Sequence, residues 1–85
     1  MADRENLLNA VALAFDNDWE RAHAIAQTHG GDPTADWLHA VLHKIEGDEH
    51  NARYWYRRAG HTFEDFPDVQ QELAAIETHL KSASR

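Results

Sequence analysis

The chain has 85 residues, of which 42% are hydrophobic and 27% charged, and this length allows one small domain. It contains no cysteine, which excludes disulfide bonds and thiolate metal sites. Fifteen acidic residues against eight basic ones leave a net charge of −7 with the seven histidines neutral. Such a charge disfavours binding to nucleic acid phosphates and to anionic lipids.

Membrane and secretory signals are not found in the sequence. The longest unbroken apolar run is Ala10–Phe15, far short of the roughly 20 residues that a membrane-spanning helix needs. The first residues place no basic segment ahead of a long apolar stretch, so we expect no signal peptide. The composition therefore predicts a cytoplasmic protein without a membrane partner.

The first two helices follow from the 3.6-residue apolar periodicity and from its capping residues. Asp3 is a good N-cap for the first helix, which ends near Phe15. The second helix is capped by Asn17 or Asp18 and stops at Gly30-Gly31.

The next two helices have clearer boundaries. Asp32 followed by Pro33 predicts the start of the third helix, because proline is favoured at the first helical position. This helix runs until Gly47, and Asp48 caps the fourth. Gly60 suits the left-handed residue that closes a helix.

A loop and a fifth helix complete the chain. Phe63 and Phe66 are expected to anchor the loop, and Pro67 is expected to open the helix. No segment alternates with period two, so the predicted fold class is all-α with five helices. The apolar stripe of the fifth helix consists of Val69, Leu73, Ile76 and Leu80.

The sequence is self-similar at a spacing of 30 residues. Each unit reads as a helix, a tight turn, a capped helix and a glycine stop. This predicts one domain over 1–85, built from antiparallel hairpins at 4–30 and 33–60 and a capping helix at 67–81. The matching segments are Leu8–Val11 with Leu38–Val41, Asn17-Asp18 with Gly47-Asp48, Ala22 with Ala52, and Gly30 with Gly60.

Small and aromatic residues recur at fixed spacing around the second turn, at Ala40, Gly47, Asp48, Ala52, Tyr56 and Ala59. In these positions the second unit resembles a tetratricopeptide repeat, and the first unit resembles it more weakly. The period of 30 residues is shorter than the 34 of that family. The resemblance implies stacked hairpins that bind or scaffold other proteins, with the fifth helix as the cap of the array.

The resemblance also implies a partner-binding surface, since the first helices of successive hairpins line the concave side of such arrays. This surface is too apolar to stay bare on a small monomer. We therefore expect either the fifth helix or a partner to cover it. Its residues are Leu7, Val11, Trp37, Val41 and Lys44.

A second candidate binding segment mixes aromatic and basic residues at 53–58. Such runs can stack bases and hold phosphates, but the net charge makes nucleic acid an improbable ligand. Arginine, tyrosine and tryptophan also dominate protein-binding hot spots. If Trp55 and Tyr56 belong to the core, Arg53, Tyr54 and Arg57 remain for a protein partner, which is either another protein or a second copy of this chain.

An alternative function is metal binding by one face of the third helix. Asp36, His39, His43 and Glu46 are spaced three, four and three residues apart and fall within an arc of about 80°. Two histidines one turn apart beside a carboxylate can hold zinc. The simpler interpretation is a polar face, solvated or against the other hairpin, with His43 partly buried as a packing residue, and it needs no cofactor.

Catalysis has little support in the sequence. His39 and His43 enclose no glutamate, so the HExxH pattern of zinc proteases is absent, and no glycine-rich phosphate loop occurs. The prediction is a small protein-interaction or scaffolding module that is not an enzyme.

Overall fold

The computed structural model describes residues 2–82, with the side chains of residues 4–82. No strand occurs in this part of the chain, and the prediction of an all-α fold with five helices is confirmed. The helices are α1 (Ala2–Phe15), α2 (Trp19–Thr28), α3 (Pro33–Ile45), α4 (Glu49–Ala59) and α5 (Val69–Ser82), with a short 3₁₀ helix at Phe63–Asp65.

The helices pack in the order of the chain, with α5 returning to the start. α1 contacts α2, α2 contacts α3, and α3 contacts α4. α5 packs against both α1 and α3, and the 3₁₀ helix lies against α4. Ala22 and Ala52 are fully buried at the helix contacts, where a small side chain lets two helices approach closely. α3 is therefore the central helix, in contact with all the others.

The turns after α1 and α3 have similar local geometry. Asn17 and Gly47 both adopt positive φ angles, of 63° and 85°. The next residues, Asp18 and Asp48, each cap the following helix by accepting the backbone N–H of the residue three positions later. Each also donates its own N–H to the carbonyl five residues earlier. The superposition of the two whole hairpins stays a prediction.

Two helix starts differ from those predicted. α1 already includes Ala2, so Asp3 lies within its first turn, and the side chain of Asp3 falls outside the described residues. α5 begins at Val69 and not at Pro67. Asp68 accepts the N–H of Gln70 at 2.9 Å, which makes a carboxylate and not the proline ring the local start signal.

Two further positions depart from the predicted pattern. The left-handed glycine after α2 is Gly31, with φ 99°, and Gly30 has no positive φ, whereas Gly60 closes α4 with φ 80° as expected. Ile45 continues the apolar periodicity of α3 one turn after Val41, but it is 38% exposed at the end of that helix. In the described part of the chain, no helix is long and apolar enough to cross a membrane.

Candidate functional sites

The predicted concave surface lies beneath α5. Leu7, Val11, Trp37 and Val41 are all buried, and α5 contacts both of the helices that carry them. α5 therefore covers this surface within the chain itself. A partner would reach these four residues only after α5 had moved.

Lys44, the fifth residue of that predicted surface, is also held inside. Its side chain is 9% exposed. The ammonium group donates hydrogen bonds to the carbonyls of Phe63 and Phe66, both at 2.8 Å, and to Glu72 Oε1 at 3.0 Å. It also lies 4.7 Å from the centre of the Phe63 ring. Lys44, which sequence reasoning placed on a partner-binding surface, thus binds the loop and α5 of its own chain.

Glu72 is the buried acceptor of this network. Its Oε2 accepts Trp37 Nε1–H at 2.9 Å and the Tyr56 hydroxyl at 2.8 Å, while Oε1 accepts Lys44. Burial, and then the neighbouring Glu72 carboxylate, raise the pKa of Tyr56 well above its usual range. Sequence reasoning missed Glu72, although it lies next to Leu73 and one turn before Ile76 on the inner side of α5. A charged residue at the edge of an apolar stripe was the available signal.

The outer side of α4 is the most exposed of the predicted binding segments. Arg53, Tyr54, Arg57 and Arg58 fall within an arc of about 140° opposite Ala52 and Tyr56, which are buried. We call these four residues the α4 face. Tyr54 is 44% exposed, and Arg57 forms no ion pair with any residue that the structure describes. Three of the eight basic residues of an acidic chain are thereby gathered on one surface.

Contacts with the core order two side chains of the α4 face. The Arg58 guanidinium lies 5.8 Å from the ring centre of Tyr54 and 5.4 Å from that of Trp55. Its Nε is 3.9 Å from a carboxylate oxygen of buried Asp36. The rings of Tyr54 and Trp55 meet edge to face at 5.1 Å. Tyr54 and Arg58 are therefore arranged before any partner arrives.

On the opposite edge of the face, Arg53 is bound by acidic residues. It donates to Glu49 within α4 and to Glu64 in the 3₁₀ helix. The hydrogen bond with Arg53 lowers the pKa of Glu64. Arg57, between the two edges, keeps a guanidinium that can pair with an acid from outside.

A cluster of three histidines joins α2 to α3. His23 of α2 meets His39 and His43 of α3, with ring centres 4.6 and 5.4 Å away, and the latter two rings stack at 4.9 Å. His23 Nε2 and His39 Nε2 are 3.1 Å apart. One ring nitrogen from each histidine lies within 4.8 Å of the other two, so the cluster can hold one ion.

Tryptophan rings close the histidine cluster on both sides. Trp19 stacks on His23 with ring centres 4.5 Å apart, and Trp55 stacks on His39 at 4.0 Å. Trp19 is fixed in turn by a hydrogen bond from its Nε1 to the carbonyl of Leu42 at 2.6 Å. The imidazole rings are thus held in place from α2, α3 and α4 together.

The polar atoms of the cluster have few other partners. His43, whose side chain is 12% exposed, pairs through Nδ1 with Glu46 at 2.7 Å. His39 is 3% exposed, and its Nδ1 has no hydrogen-bond partner among the described residues. Burial first, and then His23 and His43, lower the pKa of His39 from 6.5 to about 4. Burial and His43 also lower the pKa of His23, so both of these rings are neutral at pH 7.

The four residues of the predicted metal site are only partly brought together. Asp36 accepts the N–H of Gly31 at 3.2 Å and lies near Arg58, and it belongs to neither of the potential ligand groups of the described chain. Glu46 holds His43, and His39 meets His23 instead. The expectation of a solvated face is wrong for Asp36 and His39, which are buried. Through His39, this helix face contacts His23 of α2 in the other hairpin. The expectation of a polar face packed against the other hairpin therefore fits better.

Comparison of the chain with protein-family models, with curated proteins and with solved structures gives no match in any of the three. The functional conclusion therefore rests on the residues of this chain.

Proposed function

We propose that this chain is a small protein-interaction or scaffolding module of tetratricopeptide-like type that binds an acidic segment of a partner protein. The observation that carries the proposal is the α4 face, where an exposed tyrosine and three arginines lie side by side. Tyrosine and arginine are the residue types that most often dominate binding energy at interfaces.

The charge distribution supports an acidic partner. The chain as a whole carries −7. Because Arg53 and Arg58 already lie next to carboxylates of the chain, Arg57 is the arginine of the α4 face that is open to a partner. No carboxylate of the described residues pairs with Arg57, and a cavity lined by Arg53, Arg57, His61 and Thr62 lies beside it. A carboxylate of the partner can pair with Arg57 there, while an apolar neighbour packs on Tyr54. Complementary charge of this kind mainly increases the association rate and the specificity.

The same complementarity makes a second copy of this chain the alternative partner, because its surface is rich in carboxylates. Self-association by these charges would weaken as salt rises, since exposed charges are screened beyond about 10 Å at 0.1 M. A cytoplasmic location is part of the proposal and rests on the absence of cysteine from the sequence.

The test is affinity capture from cells that make the protein, with wild-type chain and with Tyr54→Ala and Arg57→Glu as baits. Gln71→Ala is the matched control, because Gln71 is exposed on the outer side of α5. We expect a protein with an acidic segment to bind the wild type and the control and to be lost with both α4 variants. Loss of a hot-spot residue typically costs about 2 kcal/mol of binding free energy, which corresponds to about a 30-fold lower affinity. Calorimetry of each variant with the purified partner would measure this difference.

The oligomeric state is measured in parallel by sedimentation at low and high salt. A salt-sensitive dimer that Arg57→Glu converts to monomer would identify the second copy as the partner. Identical captured proteins for wild type, Tyr54→Ala and Arg57→Glu would refute binding through the α4 face.

A further inference from the structure

We propose that His23, His39 and His43 form a binding site for one borderline divalent transition metal ion, with Zn²⁺ as the representative. The site lies between α2 and α3, apart from the proposed interaction surface, and it includes a histidine from the first hairpin. Imidazole nitrogen is the ligand that Zn²⁺, Cu²⁺ and Ni²⁺ share, whereas Mg²⁺ and Ca²⁺ require oxygen.

The distance between two of the three nitrogen atoms fits such an ion closely. Zinc–nitrogen bonds of about 2.0–2.1 Å at tetrahedral angles place two ligand nitrogens about 3.3 Å apart. His23 Nε2 and His39 Nε2 are 3.1 Å apart, and the third nitrogen lies within 4.8 Å of both. Three ligands are completed when the ring of the third histidine turns its nitrogen closer to the other two.

Packing alone does not account for the direction of the nitrogen atoms. An apolar side chain such as leucine or phenylalanine would bring no polar atom into the space between Trp19 and Trp55. Instead, the three rings turn nitrogen atoms toward one another, and the two Nε2 atoms can share only a single hydrogen between them. An ion between them would engage both lone pairs at once.

Glu46 orients the third ligand. His43 Nδ1 lies 2.7 Å from Glu46 Oε2, so this nitrogen carries the hydrogen that it donates to the carboxylate. The lone pair of His43 is then on Nε2. Histidines that ligate metals almost always donate their other N–H to a carboxylate, a carbonyl or a water, and Glu46 supplies that partner here. Glu46 is a positioning residue in this proposal.

Burial and access also favour an ion. His39 is 3% exposed, and its Nδ1 has no hydrogen-bond partner among the described residues. His23 is half-buried, which leaves an approach from solvent. No fourth protein ligand adjoins the three nitrogens among the described residues, so the fourth position of a tetrahedral ion would take a water molecule.

The test is calorimetric titration of the full chain with Zn²⁺ at pH 7.5, together with the Tm in Zn²⁺ and in EDTA. We expect one ion per chain and a Tm that rises until that ratio is reached. His23→Gln should remove both responses, and because His23 is half-buried, this variant should keep the fold. Glu46→Gln should weaken Zn²⁺ binding by about 10–100-fold without changing the stoichiometry.

His50→Gln is the matched control, since His50 is an exposed histidine of α4 outside the cluster. It should bind Zn²⁺ like the wild type. The proposal is overturned if Zn²⁺ leaves heat and Tm unchanged, if His23→Gln still binds one ion with wild-type affinity, or if His50→Gln loses binding. Circular dichroism of each variant in EDTA separates loss of binding from loss of fold.

Discussion

The ammonium group of Lys44 has three hydrogen-bond donors, and each finds an acceptor within the core. Two acceptors are carbonyls of a loop, and the third is the carboxylate of Glu72 on α5. A buried charge without a partner costs several kcal/mol, so the three bonds are what makes this placement possible. Sequence reasoning put Lys44 on a binding surface because the periodicity of α3 does not reveal what the loop and α5 bring to it.

Glu72→Gln should strongly destabilise the chain. The substitution leaves Lys44 buried without its counter-ion, for which the expected loss in the free energy of unfolding is about 3–5 kcal/mol. A domain of 85 residues has only about 5–10 kcal/mol of stability in total. Urea unfolding followed by circular dichroism gives the value. Glu77→Gln removes a carboxylate from an exposed pair with Lys81 and should cost less than about 1 kcal/mol. Equal losses for the two variants would show that the buried pair contributes nothing special.

His39 makes stability depend on pH. Its pKa is about 4 in the folded chain against 6.5 unfolded, so the unfolded chain binds more protons between these values. Stability is therefore fully present above pH 6.5 and is lost as the pH falls toward 4. In EDTA, we expect the free energy of unfolding to fall by about 2 kcal/mol between pH 7 and 5.

Measurement of urea unfolding at several pH values tests this expectation, with His39→Gln and His50→Gln as variants. His39→Gln should flatten the profile above pH 5, and His50→Gln should retain it. An NMR titration that gives His39 a pKa of 6 or more in the folded chain would contradict the burial argument.

The turns at the ends of α1 and α3 show which elements sequence reasoning can place. Asp48 caps α4 as predicted, and of the two candidates for α2, Asn17 and Asp18, the cap is Asp18. Capping is predictable because it depends on a side chain and a backbone N–H three residues apart. The start of α5 was misplaced at Pro67, since proline and Asp68 both signal a first turn, and the carboxylate of Asp68, which accepts the N–H of Gln70, is the signal that marks it. Helix ends can thus be predicted from the local sequence where a single capping residue is present, and less well where two candidates compete.

Gly47→Ala should be more costly than Gly30→Ala. Gly47 has φ +85° with open space around its Cα, so an alanine there is strained by the backbone alone. The expected cost is about 1–2 kcal/mol. Gly30 has no positive φ, and an added Cβ would lie 3.5 Å from the Gln27 carbonyl, an ordinary contact. Thermal and urea unfolding of both variants give the difference. A Gly47→Ala chain as stable as the wild type would mean that the turn relaxes out of its left-handed geometry.

At the scale of the whole molecule, the two candidate sites differ in how much of them the sequence could reveal. Arg53, Tyr54 and Arg57 were found from one helix, because residues of one helical face recur at fixed spacing. The histidine cluster was found only in part, since His39 and His43 share a helix but His23 arrives from α2 by tertiary packing. The periodicity of α3 cannot predict a contact between His39 and His23, which lies 16 positions away on another helix.

The buried network should make the chain unfold as one unit. Glu72 of α5 is bonded to Lys44 and Trp37 of α3 and to Tyr56 of α4, and Lys44 also holds the loop. Because α5 cannot leave without breaking the three hydrogen bonds of Glu72, its local opening should be as costly as global unfolding.

Hydrogen exchange measured by mass spectrometry in increasing urea tests this cooperativity. Peptides from 69–82 and from 33–45 should show the same free energy of opening in the wild type, within about 0.5 kcal/mol. In Glu72→Gln, α5 should become the less protected of the two, because the lost carboxylate is its strongest tie to α3. An α5 that already opens well below the global free energy in the wild type would contradict the prediction. It would also uncover Leu7, Val11, Trp37 and Val41 without unfolding the chain, and it would turn the predicted concave surface into one that a partner can reach.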